Sequence, residues 1–120
     1  MAWGDGKIVS FGWRWGAIPP GADAIIDVRE RFPRNPWRLK KLRDLTGKDA
    51  PVIEDILEAS YFSYAYEQLL ADVSRLFEKD TDRTVLIGCT GGRHRSVYLA
   101  DRLGRDLRIP VEHRDLNRHG

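Results

Sequence analysis

The stretch from Thr84 to Leu103 limits the architectures open to this chain more than any other. An apolar β-type run, Thr84–Gly88, leads into Cys89-Thr90-Gly91-Gly92-Arg93-His94-Arg95-Ser96, and a helix-type pattern follows from Ser96 to about Leu107. A glycine-rich turn between a strand and a helix leaves backbone N–H groups unpaired and aimed at one spot. Two arginines and a histidine stand beside those donors. A βα unit with an anion-binding turn is therefore expected, on a mainly parallel sheet.

The rest of the chain agrees. Lys7–Phe11 reads as a strand, and Gly12-Trp13-Arg14-Trp15-Gly16 as a glycine-bounded loop with two exposed aromatics. Ala24–Val28 is a second strand, nearly all apolar, as suits a strand covered on both faces. The pattern predicts a short helix from Pro36 to Leu45 and another from Ala50 to Leu57. A longer amphipathic helix is expected to about Glu78, with Ser60 as its N-cap. Ile109–His113 is the fourth strand. The order β-β-α-α-β-α-β predicts one domain over residues 1–120, a three-layer α/β sandwich on a mainly parallel sheet of four or slightly more strands. In such sheets ligands sit beyond the carboxyl ends of the strands. Ionisable residues gather there: Asp27 and Arg29 after strand two, Cys89–Arg95 after strand three, His113, Arg114 and Asp115 after strand four.

The chemistry of the loop follows from its residues. Gly91 and Gly92 permit positive φ and close backbone approach. Arg95, at the helix start, can fork onto two phosphate oxygens, and Thr90 and Ser96 add hydroxyl donors. His94 stands among them. A Walker loop is excluded, because G-x-x-x-x-G-K-[ST] is absent, and so is G-x-G-x-x-G. A phosphorylated small molecule is the expected ligand, and a nucleotide-derived one is an alternative. The octet also satisfies Cys-x5-Arg-Ser, the spacing of cysteine-dependent phosphatases, with Cys89 as nucleophile and Arg95 as phosphate ligand. Binding without catalysis is the preferred reading, since no acid-bearing loop announces itself, though Asp27, Asp49 or Asp115 could serve as the acid.

Charge is unevenly spread. Arg31, Arg34, Arg38, Lys40, Lys41 and Arg43 give the segment 31–43 a charge of +6 against a net +2, leaving −4 on the remainder. With Trp37 among them, these residues form a candidate RNA or partner patch; a solvated surface is the plainer reading. The single cysteine allows no internal disulfide, and His94 and His113 lack metal-ligand spacing, so no metal or cofactor is expected. His119 lies in the terminal tail. No apolar signal segment and no membrane-length run is present, which gives a cytoplasmic expectation. Trp13 and Trp15 suggest self-association.

The run Gly88-Cys89-Thr90-Gly91-Gly92-Arg93-His94-Arg95-Ser96-Val97 resembles the signature of the C-terminal domain of the RapZ RNase adapter family. Further matches are Ser10-Phe11-Gly12, Gly16, Ala22-Asp23, Asp27-Val28-Arg29, Asn35-Pro36-Trp37, Leu42-Arg43, Thr46-Gly47, Asp49 and His113-Arg114-Asp115-Leu116. The resemblance implies an α/β unit, reminiscent of a phosphofructokinase subdomain, that binds a phosphorylated amino sugar, glucosamine 6-phosphate. It also implies a contribution to binding small regulatory RNAs, and self-association. Thr90, Gly91 and Arg95 are then expected on the phosphate or sugar, with Asp27 nearby. Full-length members carry an N-terminal nucleotide-binding domain with a Walker loop, and this chain is expected to be a stand-alone copy of the second domain.

Overall fold

A computed structural model describes residues 5–118. His119 lies outside them. Four strands, β1 (Lys7–Gly12), β2 (Ala24–Asp27), β3 (Thr84–Cys89) and β4 (Val111–His113), form one all-parallel sheet in the order β2-β3-β1-β4. Three α-helices, α1 (Ala50–Leu57), α2 (Phe62–Lys79) and α3 (Arg95–Leu107), complete the α/β fold. The strand order fits right-handed crossovers. β2 to β3 and β3 to β4 step the same way across the sheet and carry the helices; β1 to β2 steps back and carries a loop on the other face. The layers are helices, sheet, and this thin loop.

Side-chain alternation divides the core accordingly. Ile8, Val85, Ile87 and Cys89 face the helices and pack with Leu69, Val73, Leu99 and Leu103. Val9, Phe11 and Leu86 face the loop and pack with Trp13 and Ala22. The central strands β1 and β3 are thus buried on both faces, although β1 carries the buried polar Ser10; β2, read as covered on both faces, is instead an edge strand with Ile25 45% exposed. No helix among the described residues is long and apolar enough to cross a membrane.

Two predicted elements differ. Pro36–Leu45 is not one helix but two 3-10 turns, Pro36–Arg38 and Lys40–Leu42, separated by Leu39 in an extended conformation. Asn35 accepts the Trp37 N–H through its side chain and caps the first turn. Ser60 does not cap α2: the helix begins at Phe62, and Tyr61 precedes it with no side-chain cap. Trp13 and Trp15 are half-buried rather than exposed. The Trp13 ring packs edge-on against Phe11 at 4.7 Å, and the Arg29 guanidinium lies 4.4 Å over it.

The basic segment is largely tied down. Arg31 pairs with Asp72 at 2.7 Å. Arg34 and Arg38 converge on the buried Asp55, at 3.0 and 2.7 Å. Arg43 Nε donates to the Trp37 carbonyl and its guanidinium lies over the Trp37 ring. Lys40 and Lys41 are left exposed. Hydrogen bonds from Arg38 and Arg34 outweigh burial and hold the Asp55 carboxyl below 3.8. That stabilisation is complete above the unfolded carboxyl value and is lost as pH falls through the lower folded one. Both arginines are about a third exposed, so solvent weakens the pairs, and Asp55→Asn is expected to cost about 1–2 kcal/mol in urea denaturation. The difference from the unaltered chain should vanish at acid pH, where both carry a neutral side chain there.

Candidate anion-binding site

The strand β3 ends at Cys89, α3 starts at Arg95, and the five residues between turn back over the carboxyl edge of the sheet. The neighbouring β1–β2 loop fixes this turn by its carbonyls: Arg14 N–H donates to Thr90 O and Trp15 Nε1 to Gly91 O, each at 3.0 Å. In a trans peptide the N–H points opposite to the C=O. The Gly91 and Gly92 amides are therefore turned away from that loop and inward. Gly92 N–H reaches Cys89 Sγ at 3.3 Å, while the N–H groups of Gly91, Arg93 and His94 donate to no protein group among the described residues. Only Gly92 uses positive φ, at 72°; Gly91 does not. Gly92 also has no room for a side chain: a Cβ there would meet the Gly12 backbone nitrogen at 2.5 Å.

Arg95 is the central side chain. It is 4% exposed, its Nη1 donates to the Phe32 carbonyl at 2.9 Å, and its Nε has no partner. Burial lowers the guanidinium's affinity for its proton. Arg34 and Arg83 also leave a buried Nε without a partner; Arg95 differs in lining a pocket whose wall bears no carboxylate to balance its charge. The pocket it lines holds about 130 Å³ and is walled by Thr90, Gly91, Arg93, His94, Cys89, Asn35, Arg14, Arg118, Trp15 and Trp37. Four of the lining residues are arginines and none is a carboxylate.

The structure brings Thr90, Gly91, His94, Arg95 and Cys89 to this pocket. Trp37 joins them, 42% exposed. Gly92 and Ser96 lie behind it: Ser96 is fully buried and accepts from Cys89 Sγ–H at 3.1 Å. Asp27 and Arg29 pair with each other at 2.8 Å beside the pocket, and Arg29 holds the Asp27 carboxyl below its usual range. His113 and Arg114 point elsewhere. His113 Nδ1 lies 2.6 Å from Ser10 Oγ, and its Nε2 donates to Asp101 at 2.8 Å. Ser10 is fully buried on the helix face of β1, so this serine–histidine–aspartate chain braces β4 against α3. Arg114 ties Asp115 to the carbonyls of Gly12 and Ala17. Among the described residues no group of three His, Cys, Asp or Glu converges as metal ligands would.

Arg14, Arg93, Arg118 and Trp15 complete the wall. Arg93 stood in the loop motif, but its guanidinium donates to the carbonyls of Arg43, Asp44 and Leu116 and so locks the chain's basic segment to the loop. Arg14 and Trp15 were legible only as a glycine-bounded loop. Arg118 carried no sequence signal.

His94 Nε2 donates to the Leu45 carbonyl at 2.7 Å. Burial, helped by the nearby Arg93 and Arg95, holds its imidazole below 6.5. The unfolded chain then takes up a proton that the folded one refuses, so stability falls as pH drops below about 6.5. Melting temperatures recorded from pH 7.5 to 5.5 should fall for the unaltered chain and fall less for His94→Gln.

A parallel sheet with a glycine loop and a cationic pocket at its carboxyl edge is the architecture of an α/β ligand-binding domain. The sequence places it further: the chain belongs to the RapZ C-terminal domain family, whose model matches residues 6–117. It is 46% identical to a "Nucleotide-binding protein" of Desulforudis audaxviator over 92% of this chain and 40% of the relative. It is 40% identical to one of Fervidobacterium nodosum, over 91% of this chain and 41% of the relative. A protein of Sorangium cellulosum with the same kind of name is 46% identical, over 93% and 34%. The chain thus spans about two-fifths or less of the length of these relatives.

Proposed function

We propose that this domain binds a phosphorylated small metabolite, with the phosphate on Arg95 and the amides of the Thr90–His94 turn. The buried Arg95, which pairs with no carboxylate and lines the pocket beside the unpaired loop amides, carries the reading. A phosphate supplies the counter-charge that Arg95 lacks, and charge-assisted hydrogen bonds contribute about 1.5–3 kcal/mol each. The unpaired amides and the positive end of α3 add to it. Sugar phosphates, amino-sugar phosphates among them, are the class the family resemblance favours. The relatives' names add nucleotides to the compounds worth trying.

A thermal-shift screen over both classes tests the proposal. A binder present at about a hundred times its Kd adds about 2.7 kcal/mol, a rise of several degrees in melting temperature. No shift with any phosphorylated compound contradicts the proposal.

Hydrolysis by Cys89 is the competing reading. The position of Sγ at the pocket, within reach of the Gly92 amide and Ser96, favours it. It also needs a proton donor for the leaving group, and no lining residue is a carboxylic acid; Asp27 is held ionised by Arg29. Turnover of an aryl phosphate that disappears in Cys89→Ser would replace simple binding with this reading.

A further inference from the structure

We infer that Cys89 is a redox-sensitive modification site in the wall of this pocket: hydrogen peroxide converts its thiol to a sulfinate, and the sulfinate takes the place of the phosphate and closes the site to ligand. The inference rests on the phosphate reading of the pocket and adds the regulation of that site. Two observations carry it together. Cys89 is only 2% exposed, but it lines the pocket with Thr90, Gly91 and Arg95. A single water needs about 10–15 Å³, so a pocket of about 130 Å³ admits hydrogen peroxide, a molecule of roughly two waters' size. The second observation is Arg95 on the same wall. It is 4% exposed, its Nη1 donates to the Phe32 carbonyl, and its Nε has no partner. A buried cation thus stands beside the one wall residue that an oxidant can turn into an anion.

An oxidised sulfur meets the same donors as a phosphate. Sγ already accepts the Gly92 N–H at 3.3 Å and donates to Ser96 Oγ at 3.1 Å. The unpaired amides of Gly91, Arg93 and His94 belong to the same turn. A sulfinate spreads one negative charge over two oxygens, so it can accept from these N–H groups and balance Arg95 from within the chain. Peroxide supplies the oxidising equivalents. Sulfur attacks one peroxide oxygen; an S–O bond forms, the O–O bond breaks, and sulfur gives up two electrons. The other oxygen leaves as water, carrying the thiol proton. A second peroxide repeats the exchange on the sulfenic acid, releases a second water and leaves a sulfinic acid, which ionises at neutral pH. A second thiol commonly traps a sulfenic acid as a disulfide. Cys89 is the single cysteine of this chain, so no thiol of its own interrupts the second step.

Peroxide treatment of the whole chain, read by fragment mass spectrometry and by calorimetric titration with inorganic phosphate, tests this. Cys89 should gain two oxygen atoms. Phosphate should then bind at least ten-fold more weakly, while the melting transition is retained. Saturating phosphate should slow the oxidation of Cys89 several-fold, because the anion covers the sulfur. In Cys89→Ser, peroxide should leave the variant's own phosphate affinity unchanged; the protection measurement needs no variant and stands should this one fold poorly. Three results overturn the inference and leave the phosphate reading intact: Cys89 unmodified by peroxide that oxidises the same chain in urea, oxidation that spares phosphate affinity or that unfolds the domain, and an oxidation rate indifferent to saturating phosphate. Failure of the untreated chain to bind phosphate overturns both.

Discussion

Arg95→Met is expected to abolish stabilisation by phosphorylated compounds without lowering the melting temperature of the free domain. The two effects separate because Arg95 serves the ligand and not the fold. In the free protein its guanidinium is buried, satisfied only by the Phe32 carbonyl, and short of one acceptor. Methionine keeps much of the stem volume and removes the buried cation, a replacement often neutral or stabilising. The ligand loses a fork of charge-assisted bonds, about 3 kcal/mol or roughly a hundred-fold in Kd. A calorimetric titration beside a melting curve reads both. Loss of several degrees together with retained binding would show that Arg95 is a structural residue.

The second large effect concerns Gly12. A Cβ there would come within 2.5 Å of the Gly92 amide nitrogen and closer still to the Gly91 carbonyl carbon. Those are backbone atoms, so nothing flexible can give way. Gly12→Ala should cost about 1–3 kcal/mol, several degrees in melting temperature, and should displace the loop and so weaken binding. Gly91→Ala is the control. No atom lies within 4 Å of its added Cβ and its φ is not positive, so it should melt within a degree or two of the unaltered chain. Equal melting temperatures for the two variants would mean that β1 does not support the loop.

These predictions rest on parts of the structure that were unequally legible. The βα loop was readable because its chemistry is local: strand, glycines, arginine and helix follow one another in the chain. β3 was readable because burial on both faces leaves the apolar run Val85-Leu86-Ile87, and β1 because only Ser10 interrupts its apolar residues. The segment from Pro36 to Leu45 was not, because its shape is set at a distance. Asp55 on α1 holds Arg34 and Arg38, and Arg93 donates to the carbonyls of Arg43 and Asp44. Those partners turn a helix-like pattern into two short turns, and they occupy cations that composition alone would assign to RNA. Part of the pocket wall was hidden for the same reason. Arg14 and Arg118 stand at opposite ends of the sequence and both come to the Trp15 ring because β1 and β4 are neighbours and Asp115 joins their ends.

Amide chemical shifts during titration with inorganic phosphate probe the central claim most directly. Shifts should concentrate on Thr90–Ser96, with Gly91, Arg93 and His94 moving most, and should be absent in Arg95→Met. Shifts confined to Lys40, Lys41 and their neighbours, or none in the loop at saturating phosphate, would contradict it.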